Sequence, residues 1–147
     1  MPATPYPTFY LAGAPKCGTT SLAAYLATHP KVCLPAPKEP FFWCDDLPWM
    51  REFLLGARYE ESYLRLYANK SPGQLACDAT TMYLYSDCAL RNLAAAVPQA
   101  KLVLMFRNPV DVAYAYHMQM LNAFQESEPD FESAWDLQTE RAKGRGL

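Results

Sequence analysis

Histidine is scarce in this chain, with only His29 and His117 among 147 residues. Its five cysteines, at 17, 33, 44, 77 and 88, form no Cys-x-x-Cys pair. Together these scarcities leave a structural zinc ion without a ready ligand set, and no metal site is expected. Long apolar runs are missing too. None approaches the ~20 residues of a membrane-spanning helix. The opening stretch Met1-Pro-Ala-Thr-Pro-Tyr-Pro-Thr8 has neither the basic start nor the apolar core of a secretion signal. An odd number of cysteines without such a signal fits reduced thiols and a cytoplasmic location. Excess charge of one sign is also absent: 13 Lys and Arg face 15 Asp and Glu, for a net charge of −2. That balance argues against a nucleic-acid partner, which favours a basic surface. There is no internal repeat and no low-complexity tract.

What the chain has is apolar material for one packed domain, with 51% hydrophobic and 14% aromatic residues. Its pattern alternates. Phe9–Ala12 reads as a strand and Cys17–Thr28 as a helix, stopped by His29-Pro30. Val32–Leu34 is a short strand, and a proline-stiffened loop runs from Leu34 to Pro40. Pro48 to Tyr67 has helical spacing of Trp49, Phe53, Leu54, Tyr63, Leu64 and Tyr67 around a break at Gly56. A turn at Asn69–Gly73 precedes a strand at Leu75–Asp78. Ser86–Val97 reads as a helix ending before Pro98. Leu102–Phe106 is the clearest strand, and its continuous apolar character predicts burial on both faces. Val110–Phe124 and Phe131–Lys143 read as helices. This alternation predicts an α/β, phosphate-loop-like three-layer fold, with a mostly parallel sheet flanked by helices. Ligands of such sheets sit beyond the carboxyl ends of the strands. The loop at 13–18, Glu39, Asp78 and Arg107 all follow predicted strands.

Glycine is sparse, with six residues, yet two of them, Gly13 and Gly18, fall within one short loop between the first strand and the first helix. The segment Gly13-Ala-Pro-Lys-Cys-Gly-Thr-Thr-Ser21 turns backbone N–H groups and the positive end of a helix toward an anion. Its glycine spacing is that of the phosphate loop of nucleoside triphosphatases. The lysine that would follow the second glycine is replaced by Thr19, and a lysine stands inside the loop at Lys16.

This loop resembles the 5′-phosphosulfate loop of sulfotransferases that use 3′-phosphoadenosine 5′-phosphosulfate (PAPS). Two further segments carry the resemblance. Lys101-Leu-Val-Leu-Met-Phe-Arg-Asn-Pro-Val-Asp-Val-Ala-Tyr114 is similar to the family's 3′-phosphate segment. Lys38-Glu-Pro-Phe-Phe-Trp43 is similar to the Lys-Glu-x-x-Phe-Phe segment of the heparan-type and bacterial branch. The three occur in the family's order between residue 9 and about residue 120.

The resemblance implies roles for individual residues. Lys16 would stabilise charge building on the bridging oxygen of the leaving phosphate. Ala14, Pro15, Cys17, Gly18, Thr19, Thr20 and Ser21 would line the donor loop, although Thr19 and Thr20 equally suit a helix cap. Glu39 would be the general base, with a loop glutamate paired to Lys38 as the plainer reading. Phe41 and Phe42 would wall the acceptor site or lie in the core. Asp78 and Thr80, within Asp78-Ala-Thr-Thr-Met-Tyr-Leu-Tyr85, would touch substrate or end a strand structurally. Arg107 would grip the 3′-phosphate with two parallel bonds. The chain departs from the family at several places: Phe41 stands where relatives often have histidine, Ala79 where heparan enzymes have lysine, and Ala115 where a serine contacts the 3′-phosphate. Val112 replaces a residue that is often basic. Asp111 suits a helix amino terminus and needs no catalytic role.

Domains of this family are longer than 147 residues, so the chain is expected to be the N-terminal part of one, residues 1–147, with a C-terminal part absent. A missing half or a homo-oligomer partner would cover its surplus apolar surface. The acceptor is expected to be a small molecule or a glycan offering a hydroxyl or amine. Two other readings stand beside the enzyme. One is an inactive or truncated nucleotide-binding module. The other is an ATP-dependent small-molecule kinase, which wants a lysine after Gly18 and a magnesium-binding acid.

Overall fold

A computed structural model describes residues 5–36, 38–48, 50 and 59–145. The chain divides into two compact units, Met1–Phe106 and Arg107–Leu147. In the first, strand β1 (Phe9–Gly13) leads through the glycine-bearing loop into helix α1 (Thr19–Ala27) and then β2 (Val32–Cys33). Helix α2 (Glu60–Arg65), strand β3 (Leu75–Asp78), a 3-10 turn (Thr81–Leu84), helix α3 (Ala89–Ala96) and strand β4 (Lys101–Leu104) follow. The strands form one sheet in the order β2-β3-β1-β4, and every pairing is parallel. The expected α/β class with a parallel sheet and flanking helices is therefore observed. The helical stretch expected from Pro48 to Tyr67 is seen at its start, where Pro48 and Met50 are helical, and at its end, as α2. Trp49, Phe53, Leu54 and Gly56 lie outside the described residues.

Strand β1 is central because its residues alternate between two apolar layers, as a strand's two-residue period requires. Tyr10 and Ala12 enter a cluster with Phe41, Trp43, Tyr63, Tyr83 and Leu93, while Leu11 faces the other way toward Ala23 and Ala79. The carboxyl ends of β1 and β3 thus emerge side by side. Gly13 closes this edge. Its φ is +153°, and a Cβ there would stand 2.8 Å from Leu84 Cβ and 3.0 Å from the Thr81 carbonyl oxygen. Gly13→Ala should cost about 2 kcal/mol, from backbone strain plus overpacking. Gly73→Ala is the comparison, since Gly73 also has positive φ but nothing within 4 Å. Thermal unfolding of the two variants should show the larger loss at Gly13. Equal losses would mean the contact with the 3-10 turn carries no weight.

One expectation is corrected. The apolar strand at 102–106 is not buried on both faces: Leu102 and Leu104 are exposed, and Phe106 keeps 72% of its surface. The reason is that Leu102, Leu104 and Phe106, two apart, share one face of this edge strand that is left bare, while Val103 and Met105 pack on the other face with Leu11, Ala23 and Ala79.

In the second unit, Asn108 caps helix α4 (Pro109–Asn122), its side-chain oxygen accepting from the Val110 amide at 2.9 Å. Pro109 occupies the first turn, where a missing N–H costs nothing. The single helix expected over Phe131–Lys143 is two short ones, α5 (Phe131–Asp136) and α6 (Gln138–Arg141), meeting at Leu137. Arg141 grips Glu126 with two bonds of 2.5 and 2.8 Å. His117 is buried, its Nε2 bonded to the Glu128 carbonyl at 2.8 Å. Among the described residues no helix is long and apolar enough to cross a membrane.

Candidate functional site

The loop after β1 is built to meet an anion. Gly18 takes the left-handed conformation (φ +86°) and serves as the helix cap, so neither threonine is spent on capping. The first amide to bond back into the helix is that of Leu22, to the Gly18 carbonyl at 3.1 Å. The amides of Thr19, Thr20 and Ser21 precede it, at the positive end of α1. Thr19 is buried, whereas Gly18, Thr20 and Ser21 are exposed. Lys16 has φ +62°, a left-handed conformation that is uncommon for a residue with a side chain. On the far side the loop is pinned to β4: the Ala14 amide donates to the Met105 carbonyl, and the Met105 amide to Gly13, both at 2.9 Å.

Glu39 reaches this loop from β2. Its carboxylate is held at both oxygens. Lys38 Nζ lies 2.9 Å from Oε1, and Thr81 donates its hydroxyl to Oε2 at 3.1 Å. The same Lys38 ammonium donates to Thr20 Oγ1 at 3.3 Å, so one cation bridges the glutamate and the loop. The backbone here is contorted. Glu39 (φ +69°) and Phe41 (φ +54°) are both left-handed, on either side of Pro40. Three of the four non-glycine residues with positive φ among those described, Lys16, Glu39 and Phe41, thus lie in the loop and in the glutamate segment. Such conformations cost about 1–3 kcal/mol each and persist where the surroundings enforce them, often at functional sites.

Below the glutamate lies a second carboxylate. Asp78, at the end of β3, has no exposed surface. Tyr63 and Tyr83 donate their hydroxyls to its Oδ2 at 2.7 and 2.6 Å, and Thr80 donates to Oδ1 at 2.7 Å. Burial pushes the Asp78 carboxyl up from 3.8 to about 6; the three hydroxyls oppose that rise and the nearby Glu39 charge adds to it. Through Thr80 and Tyr83 this acid anchors the 3-10 turn that presents Thr81 to Glu39.

The structure therefore gathers the loop residues 14–21, Glu39 and the Asp78–Thr80 pair at one edge of the sheet. Phe41 is 3% exposed and belongs to the core cluster, and Phe42 stacks on Tyr63 with ring centroids 4.2 Å apart. Asp78 and Thr80 likewise face inward. Arg107 belongs to the second unit, half-exposed, with Nε 3.4 Å from Asp111 one helical turn on. Sequence alone marks neither Lys38 as a bridge nor Tyr63 and Tyr83 as donors. A buried acid at a strand end requires such donors. Nothing in local periodicity names them.

Residues 7–145 match the family described as Sulfotransferase domain. Among curated proteins, the bifunctional heparan sulfate N-deacetylase/N-sulfotransferase 1 of Caenorhabditis briggsae is 29% identical over 120 residues, covering 78% of this chain and 13% of the relative. The membrane-associated sulfotransferase kil1 of Dictyostelium discoideum is 27% identical over 135 residues, covering 88% of this chain and 26% of the relative. Carbohydrate sulfotransferase 15 of Mus musculus is 27% identical over 163 residues, with 85% and 29% covered. The chain thus spans less than a third of the length of these relatives. A crystal structure of a sulfotransferase from Alicyclobacillus acidocaldarius superposes with a TM-score of 0.82 at 28% identity, covering 97% of this chain and 60% of that one. A glycine loop carrying an internal lysine, a Lys-Glu segment beside it and a match over nearly the whole length lead to one assignment: the chain belongs to the sulfotransferase domain family.

Proposed function

We propose that this chain carries the donor loop and general base of a PAPS-dependent sulfotransferase acting on a hydroxyl or amine of a glycan. The observation that carries the reading is the Lys38 bridge, which ties the Glu39 carboxylate to a hydroxyl of the phosphate loop. Base and anion site thereby share one mouth, as an in-line transfer needs.

The residues present fit an anionic donor. Gly18 and the amides of Thr19, Thr20 and Ser21 offer N–H groups at a helix amino terminus, and Ala14, Pro15 and Cys17 shape the turn. PAPS, when bound there, supplies an activated sulfuryl group. Lys16 then stabilises the negative charge that builds on the bridging oxygen as the bond from sulfur to the 5′-phosphate breaks. Glu39 takes the acceptor's proton while the new bond from acceptor to sulfur forms. Arg107 is assigned the 3′-phosphate. Its ion pair with Asp111 is long and exposed, and such pairs are worth about 0–1 kcal/mol, so a phosphate displaces it readily. Phe42 is assigned to the acceptor side with Phe41 behind it. Asp78 and Thr80, being buried, support Thr81 rather than touch substrate.

The acceptor class rests on the names of the relatives, which concern heparan sulfate and carbohydrate. All five cysteines are free thiols, which suits a reducing, cytoplasmic location. Calorimetric titration with adenosine 3′,5′-bisphosphate, against ATP with magnesium, tests the donor site. Micromolar binding, weakened about tenfold or more by Lys16→Ala and by Arg107→Ala, is expected. Preferential magnesium-ATP binding would turn the reading to a kinase. Absence of both from a folded sample would leave an inactive module.

A further inference from the structure

Lys38 is an unusual partner for a general base. An ammonium has three N–H donors. One is spent on Glu39 Oε1 at 2.9 Å and one on Thr20 Oγ1 at 3.3 Å. The second contact is long and made to a neutral hydroxyl, so it is the weaker of the two. Thr20 is exposed and stands in the first turn of α1, where the loop's amides converge. The Lys38 side chain is mostly shielded, with 20% of its surface exposed, and Glu39 keeps 24%. A mostly shielded cation facing an anion loop exchanges a hydroxyl for an anionic oxygen with gain, because the new acceptor adds charge–charge attraction to the hydrogen bond. The Glu39 carboxylate remains clamped on its other side by Thr81 at 3.1 Å.

Building on the donor reading above, we propose that Lys38 is a further catalytic residue. Its ammonium leaves the Thr20 hydroxyl for the sulfonate oxygens of bound PAPS while keeping Glu39, and so aligns the base with the sulfur. The bonds made and broken are those of the transfer itself: acceptor to sulfur forms, sulfur to phosphate oxygen breaks, and the proton goes to Glu39. Lys38 exchanges no proton. It differs from Lys16 in which end of the donor it serves. Lys16 serves the phosphate side, present in both PAPS and adenosine 3′,5′-bisphosphate. Lys38 serves the sulfonate, present only in PAPS.

That difference provides the test, with no acceptor added. Wild-type protein, Lys38→Met and Lys38→Arg are titrated with PAPS and with adenosine 3′,5′-bisphosphate, and thermal melts check folding. The expected result is a loss of about tenfold for PAPS on Lys38→Met, against less than about threefold for the bisphosphate. Lys38→Arg, which keeps the charge and can reach two oxygens, should retain most of the preference for PAPS. Equal losses for both ligands, or no loss for either, would overturn the proposal and leave Lys38 as a structural ion pair. A wild-type protein that binds neither ligand would overturn the donor reading itself, and with it this one. Should Lys38→Met melt early, Lys38→Gln carries the same comparison.

Discussion

Glu39→Gln should reduce sulfuryl transfer by about 10²–10⁴-fold, the usual contribution of a general base. The affinity for adenosine 3′,5′-bisphosphate should change by less than about threefold, because the interaction lost is one made in the transition state. Glutamine has the same length and keeps an oxygen for either Lys38 or Thr81, the two groups that hold the carboxylate. It loses the negative charge and, with it, the capacity to take a proton. Radiolabelled transfer from PAPS, with calorimetry on the same samples, measures both quantities. Parallel loss of binding and turnover would make Glu39 a structural partner of Lys38. The backbone supplies an independent check. With φ at +69°, a side chain at this position costs about 1–2 kcal/mol that glycine does not incur. Glu39→Gly should therefore be about 1 kcal/mol more stable than Glu39→Ala, while both are inactive. An inactive Glu39→Gly that is also more stable than wild type would mark a residue kept for chemistry at the expense of the fold.

Much of the frame was legible because its signals are local. The strand at Leu75–Asp78 is found as read, and the strands at Phe9 and Val32 lie within a residue of their predicted ends. Each is an apolar segment bounded by glycine, proline or polar residues, and such boundaries act over a few residues. The glycine-bearing loop after β1 was legible for the same reason. Its glycines report a backbone requirement that Gly13 and Gly18 meet at positive φ. The nearness of Glu39 to the loop followed from topology, since both leave the carboxyl ends of parallel strands.

What escaped the sequence is long-range or a matter of environment. Continuous apolar character in β4 reads as central burial, yet it is equally compatible with an edge strand whose outer side is bare, as Leu102, Leu104 and Phe106 show. The break at Leu137 within an otherwise helical run has no glycine or proline to announce it. The donors to Asp78 come from five residues along the chain at Tyr83 and fifteen back at Tyr63. Tyrosine at those positions serves the aromatic core as well as the hydrogen bond, and only the second use is functional news. Lys38 is the sharpest case. Its partner Glu39 is its neighbour in sequence, but the contact that gives it meaning, with Thr20, spans eighteen residues.

The buried Asp78 sets a pH dependence with a definite sign. Its folded carboxyl titrates at about 6 against 3.8 for the ordinary group, raised first by loss of solvation. An acid whose folded pKa is raised binds protons more tightly in the folded than in the unfolded chain. Its stabilising contribution is present in full below 3.8 and disappears as pH rises through 6. The size is about 3 kcal/mol, since each tenfold gain in proton affinity is worth about 1.4 kcal/mol. The groups around it that carry or acquire charge are Tyr63, Tyr83, Tyr10, Tyr67, Cys44, Cys77 and Glu39. Burial holds the tyrosines above their usual range and Cys44 and Cys77 at about 12, so the tyrosines and both thiols remain neutral below pH 8. Asp78→Asn removes the titration. Urea unfolding of both proteins from pH 4 to 7.5 should show wild type ahead by most at the acid end, with the gap closing by about 2.5 kcal/mol, mainly between pH 4 and 6. A gap that widens with pH would mean that the three hydroxyls outweigh burial and hold the carboxylate ionised. Asp78→Ala goes further, leaving three buried hydroxyls unpaired at about 1–3 kcal/mol each. Against a total stability of about 5–15 kcal/mol, that loss should melt the 3-10 turn first, and with it the hold of Thr81 on Glu39.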